Sequence, residues 1–191
     1  MNQRRLLRCA AALALLASAG CGTSKQAPDE TNGGATVDTA TLTKLDLTSG
    51  AFQDGQPISV QYTCDGANQS PPLAWGDPPE GTRSFALAID DPDAPSGTFR
   101  HWRGCRTPPN ARSMAAGQQI GTQGTNDFGK LGYGGRCPPK GHGAHHYHFR
   151  LFALNVDKLG LGPQAKVKDV EAAAAGHAIA EGELVGTYQR L

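Results

Sequence analysis

Two segments of this 191-residue chain combine acidic, imidazole or phenol side chains with prolines and glycines. In the first segment, Asp91 and Asp93 flank Pro92, and His101 and Trp102 follow. Proline fixes its own φ angle, so the two carboxylates project from a backbone of restricted conformation. Aspartates also cap backbone amides in ordinary turns, and that structural role is the alternative interpretation of the segment.

The second segment runs from Gly135 through Pro138 to His145 and Tyr147. Histidine and tyrosine donate hydrogen bonds to anionic oxygens, and a nearby carboxylate orients a histidine. Asp, His and Tyr side chains beside a Gly-rich loop therefore predict a site for a phosphate or carboxylate group. The prolines lack amide hydrogens, so this segment cannot act as a phosphate-cradling P-loop and is interpreted as a stiff rim.

Each segment adjoins a predicted strand. The continuous apolar run over residues 84–90 is typical of a strand buried on both faces. Residues 145–156 predict a second strand, in which side chains alternate between faces. His145 and Tyr147 then share one face, and the other histidines of this strand lie on the opposite face.

The rest of the chain is turn-rich, with 25 glycines and 13 prolines. The pattern predicts early strands over 42–47 and 58–62, a poorer strand at 101–107, a long loop at 111–133, a helix at 169–180 and a last strand at 183–188. Together these elements predict a mainly β fold, an antiparallel β-sandwich with one or two small peripheral helices.

The N-terminal region predicts export. Residues 1–21 have a basic start, a short apolar stretch and small residues before Cys21, which is typical of a lipoprotein signal peptide ending at a lipidated cysteine. Residues 22–40 are polar and predict a disordered tether, and residues 41–191 form the folded domain. We expect a lipid-anchored protein of a bacterial cell envelope. An ordinary secretory signal, giving a soluble periplasmic or secreted protein, is the alternative.

Export leaves Cys64, Cys105 and Cys137 in an oxidising compartment, where one disulfide and one thiol are expected. Cys105 and Cys137 each follow one of the two polar segments, so we predict that they pair. The spacing of the cysteines does not match a zinc site, and we expect no metal and no cofactor. The formal net charge of +1 and the lack of a basic stripe argue against nucleic-acid binding.

Several sequence blocks occur in the order seen in one known family. They are residues 62–66, 70–75, 79–87, 91–95, 101–102, 126–130, 132–133, 138–141, 145 with 147, and 152–154 with 159. Together they resemble the phosphatidylethanolamine-binding protein family, in its bacterial Raf-kinase-inhibitor-like branch. The chain departs from the family pattern at His146, where the family has arginine.

The resemblance implies an antiparallel β-sandwich with a small cavity that binds phosphate-like anions or phosphorylated head groups. By its motifs, the ligand-binding residues here are Asp91, Asp93, His101, His145 and Tyr147, and the residues that shape the cavity are Pro92, Trp102, Gly135 and Pro138. Relatives also imply a homodimer. We expect a non-enzymatic binding protein for a small phosphate-containing or other anionic ligand, which regulates a partner in the envelope.

Three alternatives remain open at this stage. The first is an inhibitor of a serine peptidase or other envelope enzyme, acting through the pocket rim and the loop at 111–133. The second is an enzyme that uses Asp, His and Tyr for acid–base chemistry, although no nucleophile motif accompanies them. The third is a metal site built from His142, His145, His146 and His148, against which strand alternation argues.

Overall fold

The computed structural model describes residues 42–162 and 165–191. These residues form mostly strands, as the sequence predicts, with one helix and one 3₁₀ turn. The elements are β1 (Thr43–Lys44), β2 (Leu47–Thr48), β3 (Gln56–Pro57), the 3₁₀ turn (Val60–Tyr62), β4 (Leu73–Trp75), β5 (Ser84–Asp91), β6 (Phe99–Thr107), β7 (Ser113–Met114), β8 (Thr122–Gln123), β9 (His145–Leu154), α1 (Val167–Ala175) and β10 (Ala178–Tyr188).

Most of these strands belong to one sheet with the order β1-β10-β9-β5-β6-β8, and β3 also pairs with β10. The long strands β10, β9, β5 and β6 pair with one another in antiparallel fashion. Every residue of β5 is buried, as its apolar run predicts. The short strands β1 and β3 run parallel to β10, so this edge of the sheet is mixed rather than wholly antiparallel.

Both faces of the large sheet are covered. A small sheet with the order β2-β4-β7 lies on one face, where Leu87 and Ile89 share a hydrophobic core with Trp75 of β4. On the opposite face, Ala86 packs against Val170 of α1. The alternation of side chains along β5 explains this division, and the alanines on the helix side leave room for α1 to approach the sheet.

The strand predicted over residues 58–62 does not form. The chain makes β3 just before it and then the 3₁₀ turn. Ile58 and Tyr62 are buried while Val60 is exposed. The apolar alternation at Ile58, Val60 and Tyr62 therefore belongs to a turn region in which only the first and last of these side chains are buried.

Four other predicted segments differ from the structure. β6 is a full strand over Phe99–Thr107, and Arg103 within it is buried. α1 begins and ends earlier than predicted, with Gly176 at its C-terminal end, and the last strand then starts at Ala178. The segment predicted as a loop over 111–133 contains the two short strands β7 and β8.

The predicted disulfide between Cys105 and Cys137 is wrong. Cys137 pairs with Cys64, and Cys105 is a buried free thiol. Cys105 projects from β6 toward the α1 face of the sheet, whereas Cys64 and Cys137 lie on loops joined by backbone pairing of Thr63 with Arg136. Proximity in sequence to a polar segment did not reveal which face a cysteine occupies.

The signal peptide, Cys21 and the tether predicted before residue 42 lie outside the described residues. Within the part of the chain that the structure describes, no helix is both long enough and apolar enough to cross a membrane.

Candidate ligand pocket

The two chemistry-bearing segments meet at one edge of the large sheet. Asp90, near the end of β5, pairs with His148 near the start of β9, and Asp91 pairs with Phe99 at the start of β6. The loops that extend from these strand ends enclose a cavity of about 170 Å³. Its lining residues are Asp91, Ala94, Pro95, Phe99, His101, Phe128, Cys137, Pro138, Pro139 and His145.

A buried contact between Asp91 and His145 joins the two predicted segments. Asp91 is 3% exposed and His145 is 1% exposed, and His145 Nδ1 lies 2.7 Å from Asp91 Oδ2. The second oxygen, Asp91 Oδ1, accepts a hydrogen bond from the backbone amide of Asp93. Because an ionised carboxylate only accepts, the hydrogen of His145 lies on Nδ1, and Nε2 is the nitrogen left for other contacts.

His101 reaches the same cavity from β6. Its Nδ1 lies 2.9 Å from the carbonyl oxygen of Gly134, so the ring donates its Nδ1 hydrogen to that carbonyl. Burial, reinforced by the positive charge of Arg136, lowers the pKa of His101 to about 3. The ring is therefore neutral at physiological pH, and its Nε2 carries a lone pair.

Tyr147 lies behind the cavity wall rather than in it. The side chain is fully buried, and its ring meets that of His101 edge to face, with 5.3 Å between the ring centroids. Burial, followed by the charge of Asp91, raises the pKa of Tyr147 above its ordinary value, so the phenol remains neutral. Its hydroxyl makes no hydrogen bond to the described residues, and Tyr147 is not among the residues that line the cavity.

The mouth of the cavity is apolar. The rings of Phe99 and Phe128 contact each other edge to face at 4.7 Å between centroids, and Phe128 is 44% exposed. Pro138 and Pro139 form the opposite side. Neither phenylalanine was named from its chemistry, although Phe128 lies in one of the sequence blocks that carry the family resemblance.

The other predicted site residues do not line this cavity. Asp93 is partly exposed and accepts hydrogen bonds from both the backbone amide and the ring of His146, on the opposite face of β9. Trp102 is buried in the core and donates through Nε1 to Gln123. Pro92 is absent from the lining. Gly135 lies one loop away, where any side chain would clash with the backbone of residues 63–64, so its role is close packing of two loops.

Arg136 is a buried cation that sequence reasoning missed. The side chain is fully buried, and its guanidinium carbon lies 4.4 Å from the centroid of the Phe149 ring and 5.4 Å from that of Tyr147. It donates to the hydroxyl of Tyr133. Burial lowers the pKa of Arg136, and no carboxylate among the described residues forms a salt bridge with it.

The four histidines of the second segment do not converge. His142 contacts His145 on the cavity side, with 2.9 Å between Nδ1 and Nε2. His146 and His148 lie on the opposite face of β9 and pair with Asp93 and Glu183, respectively. Among the described residues, no group of three or more His, Cys, Asp or Glu side chains is placed to hold a metal ion.

Comparisons with known proteins give consistent matches. A family model described as "Phosphatidylethanolamine-binding protein" matches residues 48–189. A protein of Aquifex aeolicus named UPF0098 is 47% identical over 152 residues, which cover 76% of this chain and 89% of that protein. LppC of Mycobacterium tuberculosis, named as a candidate lipoprotein, is 40% identical over 176 residues, which cover 89% of this chain and 87% of LppC.

A solved structure agrees with these sequence matches. The crystal structure of Escherichia coli YbcL, described as a new member of the mammalian PEBP family, matches with a TM-score of 0.73 and 32% sequence identity. The match covers 78% of this chain and 100% of the YbcL chain. The residues matched by the family model, 48–189, include the strands that hold the cavity.

Proposed function

This chain belongs to the phosphatidylethanolamine-binding protein family, whose members have ligand-binding roles, and we propose that its cavity binds a small phosphate-containing ligand. The observation that carries the proposal is the buried pair of Asp91 and His145 in the lining of a cavity whose mouth is apolar. Burying a carboxylate and an imidazole is costly unless they are paired, and this pair is held where a ligand would meet it.

The size of the cavity favours a small group. Its volume of about 170 Å³ is below the roughly 300–1,000 Å³ of sites that enclose drug-sized molecules. A phosphate group with a short substituent fits that space, whereas a larger molecule must extend past Phe128 at the mouth. We therefore assign the cavity to a head group or a free phosphate compound.

We assign binding rather than turnover because the cavity lining lacks a nucleophile. No serine or threonine is among the lining residues, and the one cysteine, Cys137, is held in a disulfide. The imidazole of His145 is oriented by Asp91, but no hydroxyl or free thiol in the lining is placed for it to activate. Acid–base residues without such a partner favour recognition over catalysis.

We place the protein in the cell envelope, anchored through a lipid on Cys21. The similarity to LppC, a relative named as a candidate lipoprotein, supports this localisation. The disulfide between Cys64 and Cys137 also supports it, since disulfides persist outside the reducing cytosol. Radiolabelled palmitate incorporation, compared between the wild type and Cys21→Ala, tests the anchor, and equal labelling of the two would contradict it.

Calorimetric titration with inorganic phosphate and phosphoethanolamine tests the binding function. We expect saturable binding by the wild type and its loss in His145→Ala and Asp91→Ala, provided that circular dichroism shows both variants folded. His177→Ala is the matched control, because His177 is an exposed histidine at the C-terminal end of α1. A folded wild type that binds neither compound would refute the proposal.

A further inference from the structure

The geometry of the cavity points to one protonation state of its ligand. Building on the proposed function, we propose that the cavity binds a phosphate group in its singly protonated form, with the P–OH donating to an acceptor of the cavity and P–O⁻ accepting from His145. The argument depends on which polar atoms of the lining donate and which accept. Asp91, His101 and His145 supply the ionisable side chains of that lining.

His101 offers an acceptor. Its Nδ1 hydrogen is committed to the carbonyl oxygen of Gly134 at 2.9 Å, and a carbonyl cannot donate in return. The ring is 3% exposed and lies in the field of the buried Arg136, so a second proton on the ring is strongly disfavoured. A molecule in the cavity therefore meets a lone pair on Nε2.

Asp91 offers only acceptors as well. One oxygen already accepts from His145 and the other accepts from the amide of Asp93. An anion with all its oxygens ionised would face this carboxylate and the lone pair of His101 without a hydrogen to offer either. A lone pair or charge left unpaired in a buried site loses most of the benefit of binding.

His145 is the side chain that can supply the donor. With Nδ1–H held by Asp91, a proton on Nε2 makes the ring a donor into the cavity without disturbing that bond. The titratable groups that contact this ring are Asp91 at the end of β5, His142 from the loop before β9, and Tyr147 from β9. Asp93 in the turn after β5 and His101 from β6 interact with it electrostatically. Arg136, from the loop before β9, contacts the ring of Tyr147. Two acceptors and one donor match a phosphate that carries one hydrogen and one negative charge.

Two monoanionic ligands test the need for this hydrogen, because they differ only in whether the anion carries an O–H. Methyl hydrogen phosphate and methyl sulfate have the same shape and the same single negative charge, but the phosphate carries an O–H that the sulfate lacks. We expect the full-length wild type at pH 5.5 to bind methyl phosphate at least about tenfold more tightly than methyl sulfate in calorimetric titration, because the sulfate leaves a buried acceptor unpaired. Equal affinities would overturn the inference.

The affinity for methyl phosphate should also fall as pH rises. A phosphate monoester loses its second proton with a pKa near about 6, so the P–OH form becomes scarce above that pH. We expect at least about a tenfold loss of affinity between pH 5.5 and pH 7.5. A constant or rising affinity over this range would overturn the inference.

The outcomes separate this inference from the proposed function. Binding of both methyl esters with equal strength would leave anion binding in place and remove the requirement for a proton. If neither methyl ester binds at any pH, both the proposed function and this inference are refuted. The variant His101→Gln replaces the acceptor by a side chain whose amide also donates, so if it folds, its preference for phosphate over sulfate should narrow. An unchanged preference in folded His101→Gln would leave Asp91 as the acceptor and contradict the role of His101.

Discussion

His142 and His145 make a direct ring contact, with 2.9 Å between Nδ1 of His142 and Nε2 of His145. Since Nδ1 of His145 is bound to Asp91, the contact engages the one ring nitrogen that the proposed ligand needs. His142 is exposed and lies between Gly141 and Gly143, which both have positive φ angles, so its ring projects from a backbone built of permissive residues. His142 and the ligand therefore compete for one atom.

The substitution His142→Ala should strengthen ligand binding. Removing one hydrogen bond of ordinary strength, about 0.5–1.5 kcal/mol, corresponds to a gain of roughly two- to tenfold in affinity for methyl phosphate. Calorimetric titration of the wild type and the variant at pH 5.5 measures the change, with His177→Ala as the control. Weaker binding by His142→Ala would instead make His142 a contact of the ligand.

The buried neutral His101 should make the domain sensitive to acid. Its pKa is about 3 in the folded state and about 6.5 in an unfolded chain. Between these values the unfolded state holds a proton that the folded state lacks, so stability falls as pH falls from 6.5 toward 3. The contribution of this residue to the free energy of unfolding should decline by up to about 1.4 kcal/mol per pH unit in that range.

Urea denaturation of the wild type and His101→Gln at pH 7, 6, 5 and 4 isolates this contribution. Other groups titrate in both proteins, so the difference between their slopes of unfolding free energy against pH reports on residue 101. His148→Gln, which removes a partly exposed histidine on the opposite face of β9, is the comparison for the loss of a histidine outside the pocket. Identical slopes for the wild type and His101→Gln would contradict a neutral buried ring.

The sequence was sufficient to predict the main strands and the central pair of the site. The apolar run of β5 and the alternation of β9 depend on local periodicity, which the chain displays directly. The pairing of these strands then brings Asp91 to His145. Asp93 shows the limit of this prediction. It lies two residues after Asp91 in the turn, yet it bonds to His146 on the opposite face of β9 instead of lining the cavity.

Contacts between distant loops were not predictable in the same way. Cys64 and Cys137 are 73 residues apart, and their pairing depends on how two irregular loops pack. Arg136 likewise reads as an exposed loop arginine in the sequence, since a charge is rarely buried without a partner. Its burial follows from the aromatic rings around it, which come from β9 and from the loop before it.

The disulfide between Cys64 and Cys137 should contribute strongly to stability. It closes a long loop across the pocket wall, and removing a native disulfide from a small secreted domain costs about 2–5 kcal/mol. Guanidinium denaturation of the double variant Cys64→Ser and Cys137→Ser, beside the wild type, measures that loss. Reductant should lower the stability of the wild type and leave the double variant unchanged.

Peptide mapping under non-reducing conditions checks the connectivity on which this prediction depends. Fragments that contain Cys64 and Cys137 should be linked, and Cys105 should be alkylated only after unfolding because it is buried. Cys105→Ala should keep the link intact. Recovery of a fragment that joins Cys105 to Cys137 would restore the pairing predicted from the sequence and refute the one described here.

The substitution Arg136→Met should raise the pKa of His101 without unfolding the domain. The buried guanidinium helps to hold the pKa of His101 down, after the larger effect of burial, so a neutral side chain of similar length removes one of the causes. Methionine also packs well against aromatic rings. A buried cation without a carboxylate partner is costly, whereas its contact with Phe149 contributes only about 0.5–2 kcal/mol.

We therefore expect the free energy of unfolding of Arg136→Met to equal or exceed that of the wild type. Proton NMR titration of the His101 ring gives the pKa, and chemical denaturation gives the stability. Arg112→Met is the matched control, because Arg112 is a partly exposed arginine paired with Asp77 and should leave the pKa of His101 unchanged. An unchanged pKa of His101 in Arg136→Met would show that the guanidinium does not help to keep this ring neutral, and the case for Arg136 as an electrostatic neighbour of the pocket would then fail.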